Sequence, residues 1–246
     1  MKLGITMSRA SAALVAVVGA SLATNALAGF PLTVPDNGSG SANLPPIGGV
    51  YHTPFDDYTI LNGLPPGSLL TADGLLDSFS GGGHAAGGSL GGDAWTSSAV
   101  LYLPFVGSGV FAGYNRAFNM PITLQMDAAP HTPGAPVQSF DTTIFALQGQ
   151  LPPGDPDFDL LRITGGDNFG LPSPGHTTLV QNGSQWDVDS FFDITYRIDF
   201  VGHPGGPFGG MSGSTTGTIR IQAGVPAPGA AALLPLGVLL AARRRR

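Results

Sequence analysis

The stretch that decides the fold is "QWDVDSFFDITYRIDFV", residues Gln185 to Val201. Its even positions are Trp186, Val188, Ser190, Phe192, Ile194, Tyr196, Ile198 and Phe200, and its odd positions include Asp187, Asp189, Asp193, Arg197 and Asp199. Successive side chains of a strand point to opposite faces, so a period of two separates an apolar face from a charged one. Strands usually run about 3–10 residues, and this pattern is longer. It predicts two strands or one bent strand, broken near Ser190. The charged face reads as solvated, with Arg197 as counter-charge for Asp187, Asp189 and Asp193, and it keeps the sheet soluble. Just upstream, "TTLVQNGSQW" carries Asn182-Gly183, a strong short-range hairpin signal.

The same period recurs outward from this stretch. Ile122, Leu124 and Met126 alternate with Thr123, Gln125 and Asp127, which predicts a half-buried strand with the polar set outside. "AVLYLPF", Ala99 to Phe105, is apolar on both faces and reads as a central strand whose end Pro104 weakens. Thr142–Leu147 and Phe158–Ile163 are further strands, and Thr215–Gln222 closes the domain with Ile219 and Ile221 inward. The segment "SFSGGGHAAGGSLGGD", Ser78 to Asp93, reads as a flexible loop between strand groups. It is no phosphate loop, because no Lys follows it and no strand-to-helix switch frames it. No amphipathic helix of useful length lies between Gly29 and Val225. The fold expected is all-β: an antiparallel β-sandwich, jelly-roll-like or Ig-like, over residues 50–224. Residues 29–49, rich in Pro, Gly, Ser and Asn, read as a loosely ordered lead-in.

The two ends carry different signals. Lys2 and Arg9 precede an apolar run from Ala10 to Ala23, and Ala26-Leu27-Ala28 precedes Gly29. That is the anatomy of a secretory signal helix over residues 1–28, cleaved between Ala28 and Gly29. At the other end, "VPAPGAAALLPLGVLLAARRRR" begins at Val225. Its apolar part, residues 227–242, would span roughly 24 Å as a helix, short of a hydrocarbon core of about 30 Å. Pro235 interrupts it, and Arg243, Arg244, Arg245 and Arg246 resist transfer across a bilayer. A short C-terminal apolar helix acting as a transient inner-membrane anchor is expected.

The order Pro226-Ala227-Pro228, apolar segment, Arg243–Arg246 resembles the PEP-CTERM sorting signal of bacterial exopolysaccharide-associated proteins. Ala227 stands where that signal usually has Glu. "FFDITYRIDF" and "SGSTTGTIRI" also resemble stretches of exported proteins that carry the same signal. The resemblance covers residues 225–246 and implies export through the Sec machinery, processing by an exosortase, and delivery to the cell surface or extracellular matrix, with exopolysaccharide as a further partner.

Composition narrows the chemistry. Between Gly29 and Val225, four arginines against sixteen aspartates leave a charge of −12, whereas the whole chain carries −6. Nucleic acid and anionic membrane surfaces are poor partners for such a domain. There is no Cys, so no disulfide and no thiolate nucleophile; there is no Glu; and the one Lys, Lys2, lies in the signal. The five histidines, His52, His84, His131, His176 and His203, show no metal-binding spacing and read as surface loop residues. "GMSGS", Gly210 to Ser214, misses the nucleophile-elbow pattern, and no spacing nominates a Ser-His-Asp triad. "DPDFD" sets Asp155, Asp157 and Asp159 at alternate positions, as in the first ligands of a calcium loop, but Leu160 replaces the glycine such a loop needs. These three are the metal candidates, with calcium the cofactor they would take.

The reading is therefore an exported, non-enzymatic β-sandwich with a structural or adhesive role. The alternatives are a polysaccharide-binding module, calcium-dependent if the Asp155 cluster binds, and an Asp-dependent hydrolase. Exposed aromatics would favour the first alternative, and a cleft with two facing carboxylates the second.

Overall fold

A computed structural model describes residues 32–53 and 57–223. The signal helix over 1–28, the Ala26–Gly29 cleavage region and the sorting signal over 225–246 lie outside the described residues. Those described form thirteen strands in one sheet, and every ladder is antiparallel. In chain order they are β1 (Leu32–Pro35), β2 (Tyr51–His52), β3 (Tyr58–Ile60), β4 (Leu70–Ala72), β5 (Leu75–Ser80), β6 (His84–Gly87) and β7 (Gly92–Gly107). They continue with β8 (Asn115–Ala128), β9 (Val137–Gln150), β10 (Phe158–Gly165), β11 (Pro174–Asn182), β12 (Gln185–Gly202) and β13 (Ser212–Ala223). Helix among the described residues is confined to single 3₁₀ turns at Gly109–Phe111 and Asp167–Phe169.

The deciding stretch is β12, and it is one continuous strand. All eight even positions from Trp186 to Phe200 are at most 2% exposed. Its length is carried by changing partners rather than by a break. One edge pairs with β1 over residues 185–188 and with β13 over 191–201. The other edge pairs with β11 over residues 185–192 and with β10 over 196–202. Ser190, the one polar member of the apolar row, is fully buried and shares a 2.9 Å hydrogen bond with Thr177 Oγ1. The hairpin at Asn182-Gly183 forms, with Asn182 opposite Gln185. Gly183 alone of its two loop residues has a positive φ (63°), the pattern of a II′ turn.

The pairings close on themselves. From β9 they run through β11 to β12, then β13, β2, β5, β7 and β8, and β8 pairs back with β9. The closure passes through the two residues of β2: Tyr51 opposes both Ala223 and Leu76, and His52 opposes both Gln222 and Leu75. Inside, Tyr51, Leu76, Leu124, Ile144, Phe192 and Ile221 converge from around the circuit on one small void. A closed circuit leaves few unpaired edges, which suits a cysteine-free domain that relies on its core.

Several expectations are corrected. The lead-in is not loose: β1 lies on β12, and Asp36 Oδ2 accepts a 2.8 Å hydrogen bond from the Trp186 indole. The Gly-rich segment is not a flexible spacer, because β6 and the start of β7 form a hairpin within it. β7 is buried on one face only, with Ala99, Leu101, Leu103 and Phe105 inside, while Tyr102 and Val106 are exposed. It also continues past Pro104, which falls where the neighbouring edge passes from β5 to β4. Asp127 is fully buried, not solvated; it accepts from Ser89 N at 2.7 Å and Gln125 Nε2 at 3.0 Å.

Candidate functional site

The sequence-nominated carboxylates do not converge on a cation position. Arg116, on β8, bridges Asp155 and Asp157: Nη2 meets Asp155, and Nη1 lies 2.6 Å from Asp157 Oδ2. Asp155 Oδ1 also accepts from the backbone N–H of Asp157 and of Phe158, and the Tyr114 hydroxyl donates to Asp157 at 2.8 Å. Burial opposes the Arg116 charge, but the hydrogen bonds and charges of the two carboxylates outweigh it and raise its pKa. Asp159 turns away and pairs with His203 at 2.8 Å. Among the described residues no group of three His or Asp side chains is set to hold a metal ion. Asp155 and Asp157 are thus both engaged by one guanidinium.

The charged face of β12 is organised differently from the expectation. Asp193 takes a bidentate pair of 2.7 Å bonds from Arg220 on β13, and Arg197 pairs with Asp199, which Arg162 also contacts. Strand register sets this: Asp193 lies directly opposite Arg220. The hydrogen bonds from Arg220 hold the Asp193 carboxyl below the usual range. Asp187 instead accepts from Thr33 Oγ1 at 2.7 Å, and Asp189 is exposed.

Nor are the histidines simple loop residues. His52, His84 and His176 lie on strands. His131 is stacked on Phe140 at 4.3 Å, its side chain 4% exposed. One Ser-His-Asp chain and one Ser-His contact arise from placement that no sequence spacing reveals. Ser139 Oγ lies 2.8 Å from His176 Nε2, and His176 Nδ1 lies 3.0 Å from Asp141 Oδ1. That order of atoms is the one a nucleophilic serine needs. Yet Asp141 is 81% exposed, so water competes for the bond that would orient the imidazole, and an acyl-transfer site works by excluding water. Ser41 Oγ lies 3.4 Å from His131 Nε2, but its hydroxyl donates to Gln138 Oε1 at 3.1 Å and is buried, and His131 Nδ1 faces the Ala129 carbonyl at 3.4 Å, with Asp93 farther off at 3.7 Å.

A hollow at the mouth of the β5–β7 edge has the better-formed walls. β5 pairs with β7 up to Ser80, β6 resumes at His84, and Gly81–Gly83 bridge the gap. The bridge must be glycine at its centre: a Cβ on Gly82 would come within 2.0 Å of the Thr96 carbonyl oxygen. The absent side chains leave a hollow of about 110 Å³ between this bridge, β7 and the Leu44–Ile47 loop. Its walls are apolar (Leu44, Pro45, Phe79), with Trp95 and Ser97 of β7 among the lining residues. Trp95 Nε1 and Ser97 Oγ are both buried and have no hydrogen-bond partner. His84 packs on the Trp95 ring at 5.4 Å and is tied to Asp93 at 2.7 Å. Nothing in the local sequence set Trp95 apart, and Gly81–Gly83 read as part of a flexible loop rather than as a wall.

No protein-family model, curated protein or solved structure matches the chain.

Proposed function

We propose that this chain is an exported structural or adhesive protein of the cell envelope or extracellular matrix, non-enzymatic, and sorted through its PEP-CTERM-like tail. The wholly antiparallel ladders support the all-β part of this reading, expected as a sandwich over residues 50–224; their closure into one circuit is the connectivity of a barrel, and β1 extends the domain upstream of residue 50. The observation that carries the non-catalytic reading is the fate of the charges. Each of Arg116, Arg162, Arg197 and Arg220 is paired with aspartate: Arg162 and Arg220 across strands, Arg197 along β12 and Arg116 to the loop before β10, so the basic groups serve as struts of the fold. The remaining surface is acidic and suits a hydrated matrix more than a membrane or nucleic acid.

The address is tested at the tail. Mass spectrometry of the surface or secreted protein is expected to find a mature C-terminus near Val225 and an N-terminus at Gly29. Replacing Arg243–Arg246 with Ser is expected to give a longer, unprocessed secreted form. Arg246 intact on the wild-type surface protein would overturn the sorting reading and leave a plain tail anchor. A second reading, polysaccharide binding, is favoured by the hollow beside Trp95.

A further inference from the structure

We infer that the open groove on the outer face of β7, β8 and β9 binds a stretch of a neutral, extended polysaccharide. This use of the groove deepens the polysaccharide-binding reading, on which it rests, and is independent of how the tail is processed.

Three observations carry it. The first is the make-up of the floor. Strand register sets Thr96, Gln125 and Ala146 side by side in one row, and Ser98, Thr123 and Gln148 in the next. All six are exposed or half-buried. The groove above them holds about 570 Å³, inside the range of roughly 300–1,000 Å³ for ligand sites, with Gly81–Gly83 flanking β7 on one side and Phe169 on the other. The Ser98 hydroxyl and the Gln148 side-chain amide make no hydrogen bond within the described residues. Thr96 Oγ1 accepts from Gly83 N at 3.0 Å, which leaves its own hydrogen to donate. Groups that both give and accept match sugar hydroxyls, which do the same.

The second observation is charge. No charged residue lines the groove. Asp77, opposite Val100, and Asp167, two residues before Phe169, stand beside it, and both are acidic. Arg162 lies one row beyond Gln148, opposite Gln150, and is already held by Asp199. An acidic polysaccharide would meet repulsion with no free cation to offset it. A protein partner would dock on an apolar centre, but Leu124, the large aliphatic residue of the floor, is buried.

The third is the placement of aromatic rings. The two most exposed Phe, Tyr or Trp residues among those described are Phe169, 39%, and Tyr102, 36%. Phe169 lines the groove, and Tyr102 stands four residues beyond Ser98 on the same face of β7, about 13 Å along the strand. A ring open to water can cover the C–H face of a sugar. Two such rings at the ends of one polar floor suit a chain of several sugars more than a single one.

The test is isothermal titration of the full chain, held in a sugar-free zwitterionic detergent, with cellohexaose, mannohexaose and xylohexaose, and with hexagalacturonate as an acidic chain of the same length. At least one neutral chain is expected to bind, and hexagalacturonate at least about ten-fold more weakly. Ser98→Ala and Gln148→Ala remove exposed groups that have no partner in the fold. Both should melt as wild type does while binding roughly three- to ten-fold more weakly, the range for one hydrogen bond. Phe169→Ala should weaken binding by about ten-fold. Thr218→Ala, exposed on β13 across the circuit from β8, should leave it unchanged. Neutral-chain binding that none of the three groove variants weakens would overturn the groove and leave the polysaccharide-binding reading standing. No heat with any neutral chain would overturn both, and tighter binding of hexagalacturonate would overturn the assignment to a neutral ligand.

Discussion

Replacing Ile194 and its neighbour Asp193 separately measures what the two faces of β12 contribute. Ile194 is 1% exposed. It lies opposite Ile219 of β13 and against β10, where a Cβ on Gly165 would stand 3.4 Å from its Cγ2. Ile194→Ala removes three carbons at about 0.8 kcal/mol each and leaves a cavity that β13, paired on one side, and β11 and β10, paired just before and after it on the other, hold open. The sum is about 3–4 kcal/mol. Asp193→Asn breaks half of a bidentate pair whose side chains are 39% and 43% exposed. Solvent screening limits such a pair to roughly 0.2–1 kcal/mol, and Asn keeps one acceptor for Arg220. Arg220 also stays stacked on Phe191 at 4.3 Å. Urea unfolding followed by tryptophan fluorescence gives both values, with an unchanged m-value certifying the comparison. If Asp193→Asn costs as much as Ile194→Ala, the assignment of inner and outer faces is wrong.

Acid should weaken the domain in a defined window. The Trp186 indole bond lowers the pKa of Asp36, and the Arg220 bonds lower that of Asp193. For Asp199, burial raises the value but bonds from Ser214 and Arg162 outweigh it, so its pKa is lowered too. A depressed folded-state value stabilises above the unfolded value, about 3.9, and that stability is lost as pH falls through the folded values. Denaturation midpoints should therefore be flat near pH 6 and fall below about pH 4, and Asp36→Asn should flatten that fall; an unaltered acid profile in Asp36→Asn would count against the Trp186 bond. Calcium is expected to leave wild-type melting unmoved at millimolar concentration, because Arg116 already occupies Asp155 and Asp157; a drop in melting temperature on adding EDTA would refute that. A fluorophosphonate probe is expected to leave Ser139 unlabelled despite its histidine, and labelling abolished by His176→Ala would establish a reactive serine there.

How far the sequence reached depended on the range of the interaction. The face assignment of β12 was legible, because side-chain alternation is a property of the strand itself. The hairpin signalled by Asn182-Gly183 was legible for the same reason, its turn spanning two residues, though these are Gly183 and Ser184. Partners were not. Asp193 looked to Arg197, four residues on, but register set it against Arg220. Asp155 and Asp157 looked like free ligands until β8 brought Arg116 to them. Asp127 kept its place in the alternating pattern and was still buried, because the β6–β7 turn closes over its carboxylate: Ser89 N donates to it at 2.7 Å, and a Cβ on Gly88 would stand 2.9 Å from its Cγ. The Ser139, His176 and Asp141 chain and the hollow beside Trp95 both join residues from separate strands, and no local pattern encodes such a meeting. The sequence by itself determined the all-β class, the acidic cysteine-free surface and which residues of β12 turn inward, since each follows from composition or a two-residue period. Only the tertiary structure decided that the ladders close through Tyr51 and His52, which aspartate each arginine holds, and that Gly81–Gly83 open a hollow, because these depend on strand register, which is fixed by packing across the whole sheet.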